Sequence, residues 1–451
     1  TIALIGAGPQ PVPEDFIRRF TDAGHTATGT LVLRPPPHGA PAPYGEALDV
    51  LEAQYETLVF VTDATLTPWT EKAIRNADMV LAVGQHPDGP LGAPVAANAV
   101  ERFAMALARP GQRQLAIVHP RRASVQGTRH WLSGRDPAMH HHIALGDDHD
   151  LHRLWRYLKG KARGLVLCGG GAYCAAHIGV FRAFRETGQT FDYFGGTSGG
   201  AAMAAAFAQD LPPAEVDRRV HRMFIEGKAL ARYTLPRYGL IDHAHFDAHL
   251  RREYGHVRIE DLWVPYFAVS AELARATLEI HRFGPLWEAI RASAAIPGLL
   301  PPFFSGDGRT LVDGSVIANV PIEVMHALKA GPNVIVSFRP PESQQGWIDY
   351  ASLPGRRQLL WRMLNPFASE ALPKAPSAAT VLVRSLMANR GHFERHIAAD
   401  DWLLVPPTPE NMGALDWRRH SEVADAAYRY TAAEIHMRST NAVCATNDLP
   451  G

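Results

Sequence analysis

Short apolar runs alternate with helical stripes through the first 150 positions. Ile2 to Ile5 is an apolar run ending in Gly6-Ala7-Gly8, which predicts a strand and a turn. Over Glu14 to Ala23, Phe16, Ile17 and Phe20 fall on one helical face. Leu58 to Val61, Met79 to Val83 and Leu115 to Val118 read as buried strands. Between the first two, Thr67-Pro68 opens a helix, with proline at the first helical position, where its missing N–H is no loss. The prolines from Pro35 to Pro43 predict a loop, because proline cannot donate to a ladder. Strands separated by helices predict a parallel sheet with both faces covered.

A connecting helix, basic and amphipathic, is expected over Leu151 to Ala162, and a second α/β unit begins at Gly164. Leu165 to Cys168 reads as a strand, followed by a glycine-rich turn and a helix from Tyr173 to Thr187. Tyr193 to Gly195 ends another strand. Val216, Val220, Met223 and Phe224 fit a helical stripe, and Tyr266–Ala271 and Val334–Phe338 fit strands. Helices follow near Arg356–Leu364 and Glu422–Ile435. The expected division is a Rossmann-like α/β domain over 1–150 with a structural or regulatory role, the connecting helix over 151–163, a second α/β core over 164–340, and a C-terminal extension over 341–451 packed on that core.

Composition narrows the class without naming a function. Hydrophobic residues make up 46% and charged residues 20%, a globular balance. Lys plus Arg equals Asp plus Glu at 45 each, so no global field recruits nucleic acid or an anionic membrane, which leaves only a local basic patch for either. The cysteines Cys168, Cys174 and Cys444 have neither a disulfide-framework nor a metal-finger spacing, which favours a reducing, cytoplasmic setting. No stretch approaches the roughly 18 apolar residues of a membrane span, and no basic-then-apolar leader is visible. The chain begins at Thr1 and reads as a portion of something longer, whose N-terminal part would hold an anchor or regulatory domain.

Three elements carry chemistry. Gly196-Thr197-Ser198-Gly199-Gly200 is a G-x-S-x-G between an apolar strand and a small-residue helix, the setting of a nucleophile elbow. Gly169-Gly170-Gly171-Ala172 follows a strand and lets backbone N–H groups converge on an oxyanion, worth about 3 kcal/mol per donor. As a dinucleotide loop it fails, because Cys174 stands where the last glycine of G-x-G-x-x-G belongs. Asp313-Gly314 ends the run Leu311-Val312. Taken alone it is a turn signal, but a buried carboxylate there would serve as the base a serine needs.

Together, Gly-Gly-Gly-Ala, then G-x-S-x-G about 25 residues later, then Asp-Gly about 115 later, resemble patatin-like phospholipases. Ala292-Ser293-Ala294-Ala295-Ile296-Pro297-Gly298 with Pro301-Pro302 resembles their segment before the catalytic Asp. Asp63 to Thr70 and Leu415-Asp416-Trp417 extend the likeness, which is strongest to the neuropathy target esterase branch. The resemblance implies a three-layer α/β/α patatin-type hydrolase that splits carboxylic esters of lysophospholipids or phospholipids. It implies Ser198 as nucleophile, Asp313 as base, Gly169, Gly170 and Gly171 as oxyanion hole, and no metal or other cofactor. It further implies peripheral membrane contact and, upstream of a fragment such as this, a cyclic-nucleotide-binding domain. Two departures stand out: Tyr173-Cys174 where the family has a basic residue and Gly, and Gly199 where a larger residue is common. They leave two alternatives open, a catalytically weak or inactive lipid-binding regulatory module, and an acyltransferase.

Other residues draw weaker expectations. His140-His141-His142 is read as a strand at the domain junction with solvated imidazoles, ahead of a metal site. His177 is expected to pack under the glycine loop, and Cys168 and Cys174 to be buried small hydrophobes. Pro9, Pro11 and Pro13 disfavour a phosphate-cradling helix after Gly6-Ala7-Gly8. Leu299 to Phe304 is apolar near the site and would line an acyl pocket, touch a bilayer or pack in the core. Trp347 and the segment 344–375 are candidates for a lid.

Overall fold

In the computed structural model, described for residues 1–24, 29–36, 46–89, 91–338, 350–364, 381–382, 385, 393–410 and 412–447, two sheets lie in succession along the chain. The first contains β1 (Ile2–Gly6), β2 (Thr30–Leu33), β3 (Thr57–Val61), β4 (Met79–Gln85), β5 (Arg113–His119) and β6 (Met139–Ala144). Their order is β2-β3-β1-β4-β5-β6, and every pairing is parallel. β1 is buried at every position, which means helices cover both faces. The helix Glu14–Gly24 buries Phe16, Ile17 and Phe20 as its spacing predicts. Thr67 caps the helix Pro68–Asn76 by accepting from Thr70 N.

The expected connecting helix is Asp148–Leu158, and it belongs to the first sheet's packing. Leu151, Leu154 and Trp155 are buried in that core, and Trp155 stacks on Phe20 at 4.4 Å. Its apolar stripe covers the first sheet, while its last turn reaches the second unit: the Arg156 guanidinium donates to the Asp192 carboxylate at 2.6 and 2.9 Å, and the Tyr157 ring packs near Tyr193.

The second sheet contains β7 (Gly164–Leu167), β8 (Tyr193–Thr197), β9 (Tyr266–Glu272), β10 (Thr277–His281), β11 (Phe303–Phe304), β12 (Thr310–Asp313), β13 (Asn333–Val336) and β14 (Trp402–Leu404). Its order is β11-β12-β9-β8-β7-β13-β14, with β10 on β9. The centre is parallel, whereas β10 and β12 run antiparallel to β9. β7, β8, β9 and β13 are buried at every position, so this sheet too is a covered middle layer. An expected boundary at 340 leaves out β14, which joins β13 in parallel. The helix His420–Asn447 lies against the helix Ala176–Glu186 so closely that a Cβ on Gly179 would sit 1.9 Å from Ala424 O. The fold is α/β throughout, and among the described residues no helix is long and apolar enough to cross a membrane.

Candidate active site

Ser198 stands between β8 and the helix Gly199–Ala208 at φ 56°, ψ −126°, a backbone region that side chains disfavour. The turn holds because its neighbours lack side chains. A Cβ on Gly196 would lie 2.7 Å from Gly200 C, and one on Gly200 2.4 Å from Leu167 O and Cys168 O. The Ser198 N–H donates to Ser293 Oγ at 2.8 Å, a fully buried hydroxyl at the end of the helix Leu286–Ser293. Ser293 belongs to the segment Ala292–Gly298, whose residue spacing alone does not point to the elbow.

Asp313 ends β12, which pairs antiparallel with β9, and β9 pairs on its other edge in parallel with β8, the strand that delivers Ser198. Ser198 Oγ donates to Asp313 Oδ2 at 2.6 Å, and the Ser315 N–H donates to Oδ1 at 2.9 Å. Burial raises the Asp313 carboxyl above its ordinary pKa, against the lowering by the bonds from Ser198 and Ser315. The chain thus brings together two groups 115 residues apart, as a serine hydrolase requires.

The glycine loop corrects one expectation. Gly169 N–H is already spent, donating to Asn319 Oδ1 at 3.0 Å, and it lies 3.3 Å from Asn319 O. Asn319 Oδ1 also accepts from Ser315 Oγ at 3.1 Å. Gly169 is therefore the loop's anchor, tied through Asn319 and Ser315 to the Asp313 carboxylate. No acceptor among the described residues takes the N–H of Gly170 or Gly171, and Gly171 lines the same cavity as Ser198 and Gly199. A buried Asn in the apolar run Val316–Val320 was the unread signal for this anchor.

The two departures from the family pattern sort out in space. Tyr173 is buried, and its hydroxyl donates to Met412 O at 2.5 Å while Ala172 N–H donates to Ala414 O. Its ring is thus committed to the segment 412–414. Cys174 is buried beside Gly199, where a Cβ on residue 199 would lie 2.8 Å from Cys174 Sγ. The extra atoms at 174 fill the space that a larger residue at 199 would occupy. Burial pushes the Cys174 thiol well above its ordinary pKa, which keeps it unreactive. His177 is buried and donates from Nε2 to Cys168 O at 3.0 Å, under the loop as expected.

A narrow cavity of about 70 Å³ leads from Ser198. Its walls are apolar, among them Met203, Val220, Phe246 and Ile296, and Leu299 and Leu300 contribute as well. Phe304 instead stands 68% exposed, so the apolar run 299–304 divides between pocket and surface. Trp417 lines the cavity and stacks on Phe224 at 3.8 Å. Of the candidate lid, 350–364 forms a short turn and the helix Arg356–Leu364, whereas Trp347 lies outside the described residues.

Comparison with known families bears on this site. Residues 165–326 match the patatin-like phospholipase family, and residues 45–162 match the Neuropathy Target Esterase family P-loop like domain. The chain carries a patatin-like phospholipase domain. Over 422 residues it is 28% identical to patatin-like phospholipase domain-containing protein 7 of Mus musculus, covering 85% of this chain and 30% of that protein. Lysophospholipase NTE1 of Coccidioides immitis is 28% identical over 442 residues, with 84% and 27% covered. Neuropathy target esterase sws of Drosophila melanogaster is 29% identical over 407 residues, with 82% and 28% covered. The chain spans less than a third of the length of these relatives.

In the P-loop like domain the position where a ligand would sit is filled from within. Ligands of open α/β sheets bind where the strand order reverses, here between β1 and β4. There Gly8 N–H donates to Glu101 Oε2 at 2.8 Å, so a carboxylate of the chain itself takes the amide a phosphate would use. Glu101 is buried and paired with Arg135, whose Nε lies 2.6 Å from Oε1. Trp131 packs into the same place with Ala7, Leu115 and Ile117.

The histidine run lies at the junction with the patatin-like domain, but it is not solvated. His141 and His142 are each 1% exposed. His140 and His142 donate from Nε2 to Glu260 O at 2.9 and 3.0 Å, and His119 reaches His142 Nδ1 at 2.9 Å. Burial pushes His140 down to about 4 and His119 to about 3, so these imidazoles are neutral. Among the described residues no cluster has the makings of a metal site.

Proposed function

We propose that this chain hydrolyses acyl esters of lysophospholipids or phospholipids, with Ser198 as nucleophile and Asp313 as general base. The observation that carries this reading is the 2.6 Å bond from Ser198 Oγ to a buried carboxylate at the end of an apolar cavity. Asp313 takes the Ser198 proton as Oγ attacks the ester carbonyl. The N–H groups of Gly170 and Gly171 receive the oxyanion, and Gly169 holds their loop through Asn319. Collapse expels the alcohol with the proton and leaves an acyl-serine. Asp313 then takes a proton from water, which attacks the acyl carbonyl. The fatty acid leaves and the proton returns to Ser198. The names of the relatives, patatin-like phospholipase and lysophospholipase, agree with this substrate class. The filled position between β1 and β4 supports a structural role for residues 1–150 over a nucleotide site.

Incubation of the purified chain with lysophosphatidylcholine tests the reading by release of free fatty acid. We expect release from the native chain and none from Ser198→Ala. Equal release from both would refute the assignment of Ser198. An added acceptor alcohol that captured the acyl group in place of water would make the chain an acyltransferase.

A further inference from the structure

Every residue from Ala231 to Tyr238 is exposed, and three large apolar side chains fall within this one short stretch. Leu235 is 86% exposed, Tyr233 78% and Tyr238 72%. The segment is an ordered hairpin. Tyr233 pairs with Ile241 in an antiparallel bridge, Thr234 N–H donates to Leu240 O at 3.0 Å, and Asp242 N–H donates to Arg232 O at 2.8 Å. Its base is fixed, because the Leu240 and Ile241 amides donate to Leu299 O at 3.0 and 2.9 Å. Leu230 and Ile241, at its two ends, line the Ser198 cavity. The tip therefore projects from the wall of the reaction chamber.

Its exposed part is basic, and its one acid, Asp242, lies at the base, where its carboxylate caps the helix His243–Tyr254 by accepting from Ala244 N. From Gly227 to Ile241 the chain carries Lys228, Arg232 and Arg237 and no acid. Among the described residues none of the three makes an ion pair, while acids elsewhere are taken up in many. Arg237 lies over the Tyr238 ring at 5.4 Å, which holds cation and ring on one tip. Tyrosine places an apolar ring and a polar end at the boundary between water and hydrocarbon. Cations next to such rings match a surface that is both apolar and anionic.

We propose that the hairpin Arg232–Asp242 docks tip first on an anionic phospholipid bilayer and so brings the Ser198 cavity to its lipid. What the docking serves rests on the hydrolytic reading above, whereas the docking itself does not need catalysis. The test is cosedimentation of the purified chain with phosphatidylcholine vesicles, with and without phosphatidylserine. We expect the native chain to sediment, and phosphatidylserine to strengthen it by about fivefold per cation engaged. Leu235→Asp with Tyr238→Asp should lower the partition coefficient by about tenfold or more. Arg232→Glu with Arg237→Glu should abolish the gain from phosphatidylserine. Neither pair lines the cavity, so both variants should hydrolyse a water-soluble short-chain ester as the native chain does. Vesicle binding by either variant equal to that of the native chain overturns the proposal. So does a native chain that binds no vesicle. A native chain that sediments but leaves the soluble ester intact supports docking and refutes the hydrolytic reading.

Discussion

Gly199→Ala is the substitution for which the geometry makes the sharpest demand. The new methyl would stand 2.8 Å from Cys174 Sγ, 3.1 Å from Cys174 Cβ and 3.3 Å from Gly171 O. Favourable contacts between heavy atoms lie at about 3.5–4.0 Å, so the sulfur or the helix start must move by roughly 1 Å. Cys174 has little room to yield, because it is buried within the loop and its Sγ already lies 3.6 Å from Cys168 O. Overpacking of this kind costs about 1–3 kcal/mol, and the better helix propensity of Ala returns less than about 1 kcal/mol. We expect a net loss of about 1–2 kcal/mol in stability. The rate should suffer more. Residue 199 adjoins the nucleophile, and a misplacement of about 1 Å is worth on the order of 100-fold in turnover.

Removing the sulfur should undo this. Cys174→Gly frees the space that the methyl needs, so the double variant should regain most of the lost rate and stability. The double-mutant cycle should then show a coupling of about 1–2 kcal/mol, as for residues in direct contact. Thermal unfolding and kcat/KM on a soluble ester measure the two halves of the effect. The reasoning fails if Gly199→Ala matches the native chain in both. It fails equally if Cys174→Gly with Gly199→Ala is no better than Gly199→Ala alone.

Two further predictions rest on buried charges. The Asp313 pKa is raised by burial, so its ionised form weakens the fold, and the penalty appears as pH rises from the ordinary aspartate value of about 3.9 through the raised value. Asp313→Asn should abolish hydrolysis and should gain stability relative to the native chain as pH rises to neutral; melting curves showing the gap narrow with rising pH would refute the sign. Glu101→Ala leaves the Arg135 guanidinium buried without its carboxylate and Gly8 N–H without its acceptor, and should cost about 3–5 kcal/mol; a fall in thermal midpoint no larger than that of an exposed substitution would mean the pair does not hold β1 to its helix.

What the chain's pattern revealed, and what it withheld, divides by sequence distance. Periodicity placed Phe16, Ile17 and Phe20 on a buried face because that relation spans a few residues. The strand and helix flanking Ser198 were legible for the same reason, since β8 and the helix Gly199–Ala208 adjoin it. The histidine run was misjudged because its alternation is local but its cover is not. Glu260 O, which accepts from His140 and His142, is 118 residues or more away. The packing of the helix before Gly164 was hidden likewise, since Phe20, on which Trp155 stacks, lies near the other end of the first unit.

The glycine loop shows why a motif match does not assign donors. Three glycines in a row imply three amides of equal standing, and residue types alone cannot rank them. Asn319, 150 residues on, takes the amide of Gly169, whereas among the described residues no acceptor takes those of Gly170 and Gly171. A motif records which side chains are absent, whereas an oxyanion hole depends on which N–H groups have no other acceptor. The departures at 174 and 199 teach the same lesson. Read singly, each weakens the match, Cys174 by adding atoms to the loop and Gly199 by removing them from the elbow. Read together, the added atoms occupy the space that the removed ones vacate. Two mismatches that touch in space are then one conserved volume, and volume-conserving exchanges are those that a packed interior tolerates best.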